Sequence, residues 1–455
     1  MNLTYNIKDK PKFGQVILFA LQQLLAIMAA TIAVPNIIGN GMSPAAALFG
    51  AGAGTIIYLL FTKFSSPVFL GSSFAFLGSM AAAFGGAASM EIGYAGLLIG
   101  AIFAGLVYVV IAVIVKFVGV NWINKLMPAV IIGPTVAIIG LSLAGNAVGD
   151  LQKAAYDTAS VYVCLVVGLV TLAVTMLCSV YGKGFIKMIP FVMGILAGYA
   201  LAAILTAIGD ATDNGALMLI NFGPLKDLFT EIKFTSFLDL PDFTFVKAFE
   251  GLKNIDGTYI GSIAIGYVPV ALVVFAEHLA DHKNISSIIE SDLLENPGLH
   301  RTLLGDGIGS MVGSFFGGCP NTTYGESIGC VAISGNASIV TILTTAIMAM
   351  AISFIAPFST FLATIPSCVM GGVCMALYGF IAVSGLKMLQ KVDLEENRNL
   401  FTASVILIAG IGGLSLSFAV GEGKTITITT IACALILGIL TNVMLGRKKK
   451  EEDNK

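Results

Sequence analysis

Long apolar runs, separated by short polar segments, dominate the hydropathy pattern of the chain. A helix needs about 20 apolar residues to cross the hydrocarbon core of a bilayer, and most of these runs are that long. They predict spanning helices near 14–37, 45–62, 92–118, 127–148, 159–180, 187–208, 258–280, 338–359, 366–386, 399–419 and 425–446. Further apolar segments that are shorter or broken lie at 67–86, 302–317 and 320–336. The pattern therefore predicts an all-α polytopic membrane protein with about 14 transmembrane segments.

Two of the broken segments occupy corresponding positions in the two halves of the chain, as the third and the tenth segment. The first contains Pro67 and the sequence GSSF at 71–74, and the second contains Pro320 and the sequence NTTYG at 321–325. Interrupted segments at matching places indicate a binding site between inverted repeats. We therefore predict two inverted seven-span repeats. Their two short extended strands should pair antiparallel near the midplane, because open backbone cannot face lipid.

The composition supports this class and excludes others. Of the 455 residues, 57% are hydrophobic and only 11% are charged, whereas a soluble domain carries roughly 25% charged residues. The formal net charge is −2 and no basic tract suits a phosphate backbone, so nucleic acid is not an expected partner. The seven cysteines lie in apolar stretches without metal-type spacing and are interpreted as small apolar fillers. No metal site and no cofactor are expected.

Lysine and arginine residues predict the orientation, because cytoplasmic loops are enriched in them. Basic residues precede span one, follow the even-numbered spans and occupy Arg447 to Lys450. If the number of spans is even, all of these positions fall on the same side of the membrane. Both termini are therefore expected in the cytoplasm, with 448–455 as a cytoplasmic tail of a plasma-membrane protein. Residues 211–256 are expected to form an extracytoplasmic loop, in which 243–254 is either an amphipathic surface helix or solvated loop.

Two glutamates in apolar surroundings, Glu277 and Glu326, are the strongest candidates for a functional site. Carboxylates at membrane depth are costly and usually mark a substrate, ion or proton site. If short helices begin near Phe74 and Glu326, their first N–H groups are unpaired and face the site together with the positive end of the helix dipole. With the rings of Phe74 and Tyr324, these groups suit a small, flat, neutral ligand with alternating N–H and C=O groups.

Each of these residues also has a purely structural interpretation. Glu277 can approach the membrane interface at a helix end, Glu326 can cap the first turn of its helix, and the two rings can be plain packing. His278 points about 100° away from Glu277 on a helix and is expected to pack structurally. Asp281 lies one turn after Glu277 on the same face, as a polar helix-end residue or as a partner of that carboxylate.

Three other polar residues near these positions are interpreted as structural. Asp306, in the sequence LLGDGIGS, is expected to cap a helix or to form an interhelical hydrogen bond rather than to contact a ligand. His282 and His300 are expected on the cytoplasmic surface.

Several motifs resemble the uracil permease branch of the nucleobase–ascorbate transporter family (nucleobase:cation symporter-2). They are FAEH at 275–278, ENPGLHRTLLGDG at 295–307, PNTTYGESIG at 320–329 and GSSFAF at 71–76. Together with the hydropathy profile they extend the resemblance over nearly the full chain. The resemblance implies that a core domain shifts against a gate domain during transport. The core would be approximately 13–119 and 257–360, and the gate approximately 120–210 and 361–447.

The resemblance also implies a substrate site made by two carboxylates and by backbone and ring contacts, namely Glu277, Glu326, Phe74, Tyr324 and Gly325. It further implies supporting roles for Tyr378, Asp306 and Gln23.

The chain departs from the family pattern at four positions. Asp281 stands where the permeases often have histidine, and Gln23 stands where a histidine often follows the glutamine at position 22. Ser327 and Ser334 stand where the family signature has asparagine and threonine. The change at Asp281 bears most on the proton mechanism, because an aspartate acts on a neighbouring carboxylate with the charge opposite to that of histidine.

These features predict a secondary active transporter that imports uracil with a proton, in which Glu277 and Asp281 handle the proton. A symporter for xanthine or uric acid is the alternative within the same fold. An anion transporter is opposed by the two site carboxylates, and a membrane enzyme by the absence of HExxH, paired aspartates or a Ser–His arrangement in the spans. A passive channel, sodium coupling and a homodimer remain compatible with the sequence.

Overall fold

The computed structural model describes residues 3–119, 122, 127–390, 392–419 and 425–446. The predicted tail 448–455 and Arg447 to Lys450 lie outside this part of the chain. The helices are α1 (Phe13–Ile38), α2 (Pro44–Phe61), α3 (Leu77–Gly85), α4 (Met90–Val118), α5 (Ala129–Ser142), α6 (Ala144–Asp150), α7 (Val161–Tyr181), α8 (Phe185–Met188), α9 (Pro190–Ala211), α10 (Gly223–Thr230), α11 (Thr244–Gly251), α12 (Gly257–Ile289), α13 (Leu299–Gly317), α14 (Gly325–Ser334), α15 (Ile339–Ile352), α16 (Ala356–Thr364), α17 (Ser367–Leu389), α18 (Asn397–Ile411) and α19 (Thr430–Gly446).

Helices with the length and apolarity of membrane spans make up most of the fold. Within the described residues there are eight of them, formed by α1, α2, α4, the pair α5–α6, α7, α9, α12 and α17. Shorter apolar helices are α3 with its preceding turn, α15, α18 and α19. The prediction of a helical polytopic membrane protein is therefore confirmed.

The two broken segments form the predicted pair of strands. Strand β1 (Leu70–Ser72) pairs antiparallel with β2 (Asn321–Thr323), with Gly71 opposite Thr322. All six strand residues are buried. The pairing is confirmed, and it provides the hydrogen bonds that a buried extended backbone requires.

The last two predicted spans are shorter than the sequence pattern indicates. The span predicted at 399–419 ends at Ile411, and residues 416–419 form strand β3, which pairs antiparallel with β4 (Thr425–Ile428). The span predicted at 425–446 correspondingly begins only at Thr430. Gly412 and Gly413 stop the helix, since Gly413 has a φ of +74°, and the alternating Thr and Ile of TITI favour a strand.

Two other predicted boundaries also change. The span predicted at 338–359 ends at Ile352, because the chain restarts as α16, which has Pro357 in its first turn. The segment at 243–254 is helical as α11, followed by a 3-10 turn at Leu252–Asn254. In this short helix Ala248 is buried, whereas Val246, Phe249 and Glu250 are exposed, so its exposed side carries both apolar and charged residues.

The chain divides into two compact units. The first comprises Met1–Ser73, Ala144–Val246 and Asp281–Leu377, and the second comprises Phe74–Leu143, Lys247–Ala280 and Tyr378–Lys455. Both α12 and α17 contribute residues to each unit.

Glycines bring backbones into contact within the first unit. A Cβ added at Gly50 of α2 would overlap the carbonyl group of Gly313 in α13, and one added at Gly54 would overlap the carbonyl oxygen of Gly309. The amide of Asn321 donates to the carbonyl of Gly50 at 3.2 Å, which fixes β2 against the same helix. Small residues permit such close approach of membrane helices. The closely packed helices α2 and α13 therefore support the strand pair.

The second unit is held by a similar approach and by aromatic contacts. A Cβ at Gly140 of α5 would overlap the carbonyl oxygen of Tyr378 in α17. The rings of Phe76 and Tyr267 are stacked with centroids 5.5 Å apart, and Gly100 of α4 lies against the same tyrosine ring. The start of α3 is thereby fixed to α12.

The N-terminal segment is tied to the linker that follows α14. The amide groups of Thr4 and Tyr5 donate to the carbonyl of Gly335 at 2.8 and 3.1 Å, and the amide of Ala337 donates back to Tyr5 at 2.9 Å. The hydroxyl of Ser338 donates to the carbonyl of Asp9 at 2.6 Å. This N-terminal strap, residues 3–9, therefore fixes the C-terminal end of α14.

Replacing Gly50 by Ala should destabilise the protein, because the new methyl group separates α2 from α13. We expect a cost of about 1–3 kcal/mol, the usual penalty of overpacking. The measurement is the apparent melting temperature of the purified protein in detergent. Gly261→Ala is the matched control, since this helical glycine has open space around its Cβ position and should lose no stability. Equal melting temperatures for the two variants would contradict the packing argument.

Candidate functional site

The crossing of β1 and β2 defines the place where two short helices begin. The amide of Ser73 donates to the carbonyl of Pro320 at 2.9 Å, and the amide of Tyr324 donates to Phe69 at 3.1 Å, so the pairing extends to both ends of the strands. A 3-10 turn at Phe74–Phe76 leads from β1 into α3, and α14 begins at Gly325 directly after β2. The expectation that helices start near Phe74 and Glu326 is met.

The N-terminal end of α14 carries hydrogen-bond donors and one carboxylate. Tyr324 is the extended residue before the helix, and its side chain forms no capping hydrogen bond. Gly325 is exposed and Glu326 is half-buried. The carboxylate of Glu326 accepts a hydrogen bond from its own backbone N–H. This end of the helix can thus donate from backbone and accept through Glu326, with the positive end of the helix dipole behind it.

Tyr324 fixes the strand pair. Its hydroxyl donates to the carbonyl of Ser72 at 2.8 Å, and its side chain is only 4% exposed. Its ring occupies the space in which a Cβ of Gly71 would lie, so only glycine fits at that strand position. The observed contacts give Tyr324 a structural role, and its contact with a ligand remains a prediction.

The second unit contains three of the predicted site residues. Glu277 is half-buried in α12. Phe74 and Tyr378 are buried and meet edge to face, with ring centroids 5.5 Å apart. His278 is buried and lies edge to face with Tyr108 at 6.0 Å, in agreement with its expected packing role.

Carboxylates cluster within the first unit. Asp281 accepts a hydrogen bond from the hydroxyl of Thr323 in β2 at 2.7 Å. It lies within electrostatic range of both Glu326 and Asp306. Asp306, in the middle of α13, is 1% exposed. We call Asp281, Asp306 and Glu326 the carboxylate cluster, and such a group at membrane depth can hold protons or a polar ligand.

Two of the positions that depart from the family pattern are bonded to each other. The side-chain amide of Gln23 donates to the hydroxyl of Ser327, and also to its carbonyl oxygen at 3.3 Å. The hydroxyl of Ser327 accepts a further bond from the amide of Phe69 at 3.1 Å. Gln23 and Ser327 are 3% and 0% exposed. The pair therefore joins α1, the strand crossing and the first turn of α14, which agrees with a supporting role for Gln23.

The prediction that His282 lies on the surface is wrong. Its side chain is completely buried, and its Nε2 lies 2.6 Å from the hydroxyl of Tyr58 in α2. The polar sequence DHKN at 281–284 led to the surface assignment, but on a helix its residues point in different directions. Tyr58 and Ser66, which share this hydrogen-bond network, were missed by sequence reasoning, and their only signal was two polar groups at the end of an apolar run.

The whole chain is similar to characterised transport proteins. The sequence profile of the xanthine/uracil permeases, described as "Permease family", matches residues 14–417. The uracil permease of Bacillus caldolyticus is 38% identical over 451 residues, covering 99% of this chain and 96% of that protein. The uracil permeases of Bacillus subtilis (strain 168) and Escherichia coli (strain K12) are 36% and 34% identical, covering 98% and 93% of this chain and 96% and 91% of theirs.

Solved structures share the fold at much lower identity. The transmembrane domain of the cyanobacterial bicarbonate transporter BicA has a TM-score of 0.62 at 15% identity, covering 96% of this chain and 99% of that chain. The murine anion transporter Slc26a9 in its inward-facing state has a TM-score of 0.65 at 13% identity, covering 97% of this chain and 69% of that chain. These similarities identify the fold, which is that of a polytopic helical membrane protein.

Replacing Ser327 by Ala should destabilise the strand crossing, because it removes the buried hydroxyl that accepts from the amide of Phe69 and from Gln23, which keeps only its bond to the carbonyl of residue 327. We expect a cost of about 1–3 kcal/mol, measured as a lower melting temperature in detergent. Ser359→Ala is the control, since among the described residues that hydroxyl bonds only to the carbonyl of Ala356 in its own helix. A Ser327→Ala protein that melts together with this control would show that the pair contributes no stability.

Proposed function

Because the chain belongs to the xanthine/uracil permease family, we propose that it is a secondary active transporter that imports uracil together with a proton. The protein is a permease and not an enzyme. The observation that carries the choice of uracil is the identity of 34–38% to uracil permeases over nearly the full chain.

The chemistry at the start of α14 supports a nucleobase as cargo. Uracil is small, flat and neutral, and its ring N–H groups can donate to Glu277 and Glu326. Its carbonyl groups can accept from backbone N–H groups near Gly325 and Phe74, where the short helices begin. In this proposal Tyr324 completes the contacts, while Tyr378 supports the ring of Phe74, with which it is in contact. Gln23 and Asp306 support the site from α1 and α13.

A proton rather than a metal ion is the proposed coupling species. The carboxylate cluster gathers acidic groups that cannot all be charged at small separations, so one of them can take up and release a proton. We assign the transported proton to Glu277 and Asp281, which lie one turn apart on α12. Glu326 would position the substrate.

Transport in this proposal follows the movement of a core domain against a gate domain. The core is approximately 13–119 and 257–360, the gate approximately 120–210 and 361–447, and both belong to two inverted repeats of seven spans. Both termini would lie in the cytoplasm and 211–256 outside the plasma membrane.

Purified protein in proteoliposomes should accumulate labelled uracil only when an inward proton gradient is imposed. Excess unlabelled uracil should abolish the signal, whereas xanthine and bicarbonate should not. Gradient-driven uptake of xanthine but not of uracil would correct the cargo to a purine. Bicarbonate uptake would identify an anion transporter of this fold, and uptake that only equilibrates would exclude proton coupling.

Glu326→Gln should bind uracil more weakly, because an amide replaces a charged acceptor for the ring N–H groups. The expected loss is about 1–3 kcal/mol, or about 5- to 150-fold in the dissociation constant. Glu277→Gln should show the same loss and in addition lose the dependence of uptake on the proton gradient. Binding is measured by calorimetry and uptake in proteoliposomes. Exposed Glu295→Gln is the control. Unchanged affinity and unchanged gradient dependence in Glu277→Gln would overturn its assignment.

A further inference from the structure

A second buried polar network lies next to the carboxylate cluster in the first unit. The hydroxyl of Tyr58 in α2 is 2.6 Å from Nε2 of His282 in α12 and 2.6 Å from the hydroxyl of Ser66 in the loop after α2. All three side chains are completely buried. Burying three polar side chains in the interior of a membrane protein is costly, and such groups usually have a functional reason.

The three groups can reverse the direction of their hydrogen bonds. A phenol has one proton and a neutral imidazole carries its proton on only one of its two nitrogens. When Nε2 of His282 carries the proton, it donates to Tyr58, and Tyr58 donates to Ser66. When Nε2 is bare, Ser66 donates to Tyr58 and Tyr58 donates to His282. The same geometry therefore accommodates both directions, which is the requirement for passing a proton along a chain.

Acidic groups lie beside this chain of hydrogen bonds, and cationic side chains lie near its Ser66 end. Tyr58 is within electrostatic range of Asp281 and Asp306, and Asp281 is in turn within range of Glu326. At the other end, Ser66 belongs to the loop that contains exposed Lys63. Near that loop, the guanidinium group of Arg301 donates to the carbonyl of Phe61 at 3.3 Å. The network thus lies within electrostatic range of two buried acids and ends at buried Ser66, in a loop that carries a solvent-exposed cation.

We propose that His282, Tyr58 and Ser66 form a proton relay that connects the carboxylate cluster with water at the loop 62–66. This proposal rests on the proposed function, because it supplies the route by which the coupled proton leaves or reaches the acids.

The transfer conserves atoms and charge. A carboxylic acid of the cluster gives its proton to His282, and the proton on Nε2 passes to the oxygen of Tyr58. The phenolic proton passes at the same time to Ser66, and the hydroxyl proton of Ser66 passes to water. One proton has then left the cluster, one carboxylate is ionised, and every relay group is neutral with its hydrogen bond reversed. Rotation of the hydroxyl groups and return of the remaining imidazole proton to Nε2 restore the starting state.

Histidine is suited to this place because a neutral imidazole can accept a proton at one ring nitrogen while it donates the proton of the other. The adjacent Asp281 does not replace it, since its carboxylate is engaged by Thr323 in β2. The two neighbours therefore have different partners: Asp281 bonds to the strand crossing, and His282 bonds to Tyr58 of α2.

The test separates proton movement from substrate movement. Tyr58→Phe removes only the hydroxyl and keeps the ring. In proteoliposomes we expect it to exchange internal for external uracil at the wild-type rate and affinity, because exchange needs no net proton transfer. Its gradient-driven accumulation, and the uracil-dependent proton influx seen with an internal pH dye, should fall by about tenfold or more. His282→Gln and Ser66→Ala should show the same split between exchange and accumulation.

Tyr199→Phe is the matched control, because that hydroxyl bonds only to Thr364 at 2.9 Å in the described network and lies on α9. It should keep both exchange and accumulation. If the wild-type protein itself shows no gradient-driven uracil uptake, the proposed function fails. If the wild type accumulates uracil and all three relay variants do so equally well, the relay fails while the function stands. If the Tyr58→Phe protein unfolds in detergent, the exchange and accumulation measured for His282→Gln and Ser66→Ala decide whether the relay exists.

Discussion

The structure depends on one constraint, that a peptide backbone inside a bilayer must have all its hydrogen bonds satisfied by protein. The strands β1 and β2 interrupt two apolar segments, and they are tolerated because they pair with each other and are enclosed by α2 and α13. The interruption leaves the start of α14 open, with backbone donors and Glu326 in place. The features that make a polar site at membrane depth are thus consequences of how the break in the helices is stabilised.

Much of this arrangement could be predicted from the sequence. The spans follow from the length of the apolar runs, and the strand pair follows from two proline-containing breaks at matching positions. Both patterns are set by the requirements of a lipid environment, which can be recognised in the sequence without knowledge of side-chain packing. The boundaries near 352 and 411 were not predicted, since apolar residues continue beyond the point where Pro357 and Gly413 redirect the chain. Hydropathy describes burial in lipid but not the local conformation of the backbone.

The site was predicted in part. Glu277 and Glu326 stand out as carboxylates in apolar runs, but the partners of polar groups come from distant parts of the chain and carry no local signal. Gln23 and Ser327 are 304 residues apart, and each departs from the family pattern in a way that the other complements. His282 was placed on the surface because its neighbours in sequence are polar, although its position on the helix turns it inward towards Tyr58. Pairwise contacts of this kind require the fold.

The N-terminal strap has a consequence for biogenesis. Residues 4 and 5 bond to residue 335, so this segment has to wait for its partner until the chain has been made as far as residue 335. At the usual rate of about 5–20 residues per second, this delay is roughly 15 to 70 seconds. During that time α1 is also without α15, against which it packs in the finished protein. The first helix can therefore pack early against α2, but the face that contacts α15 stays without its protein partner until that helix has been made.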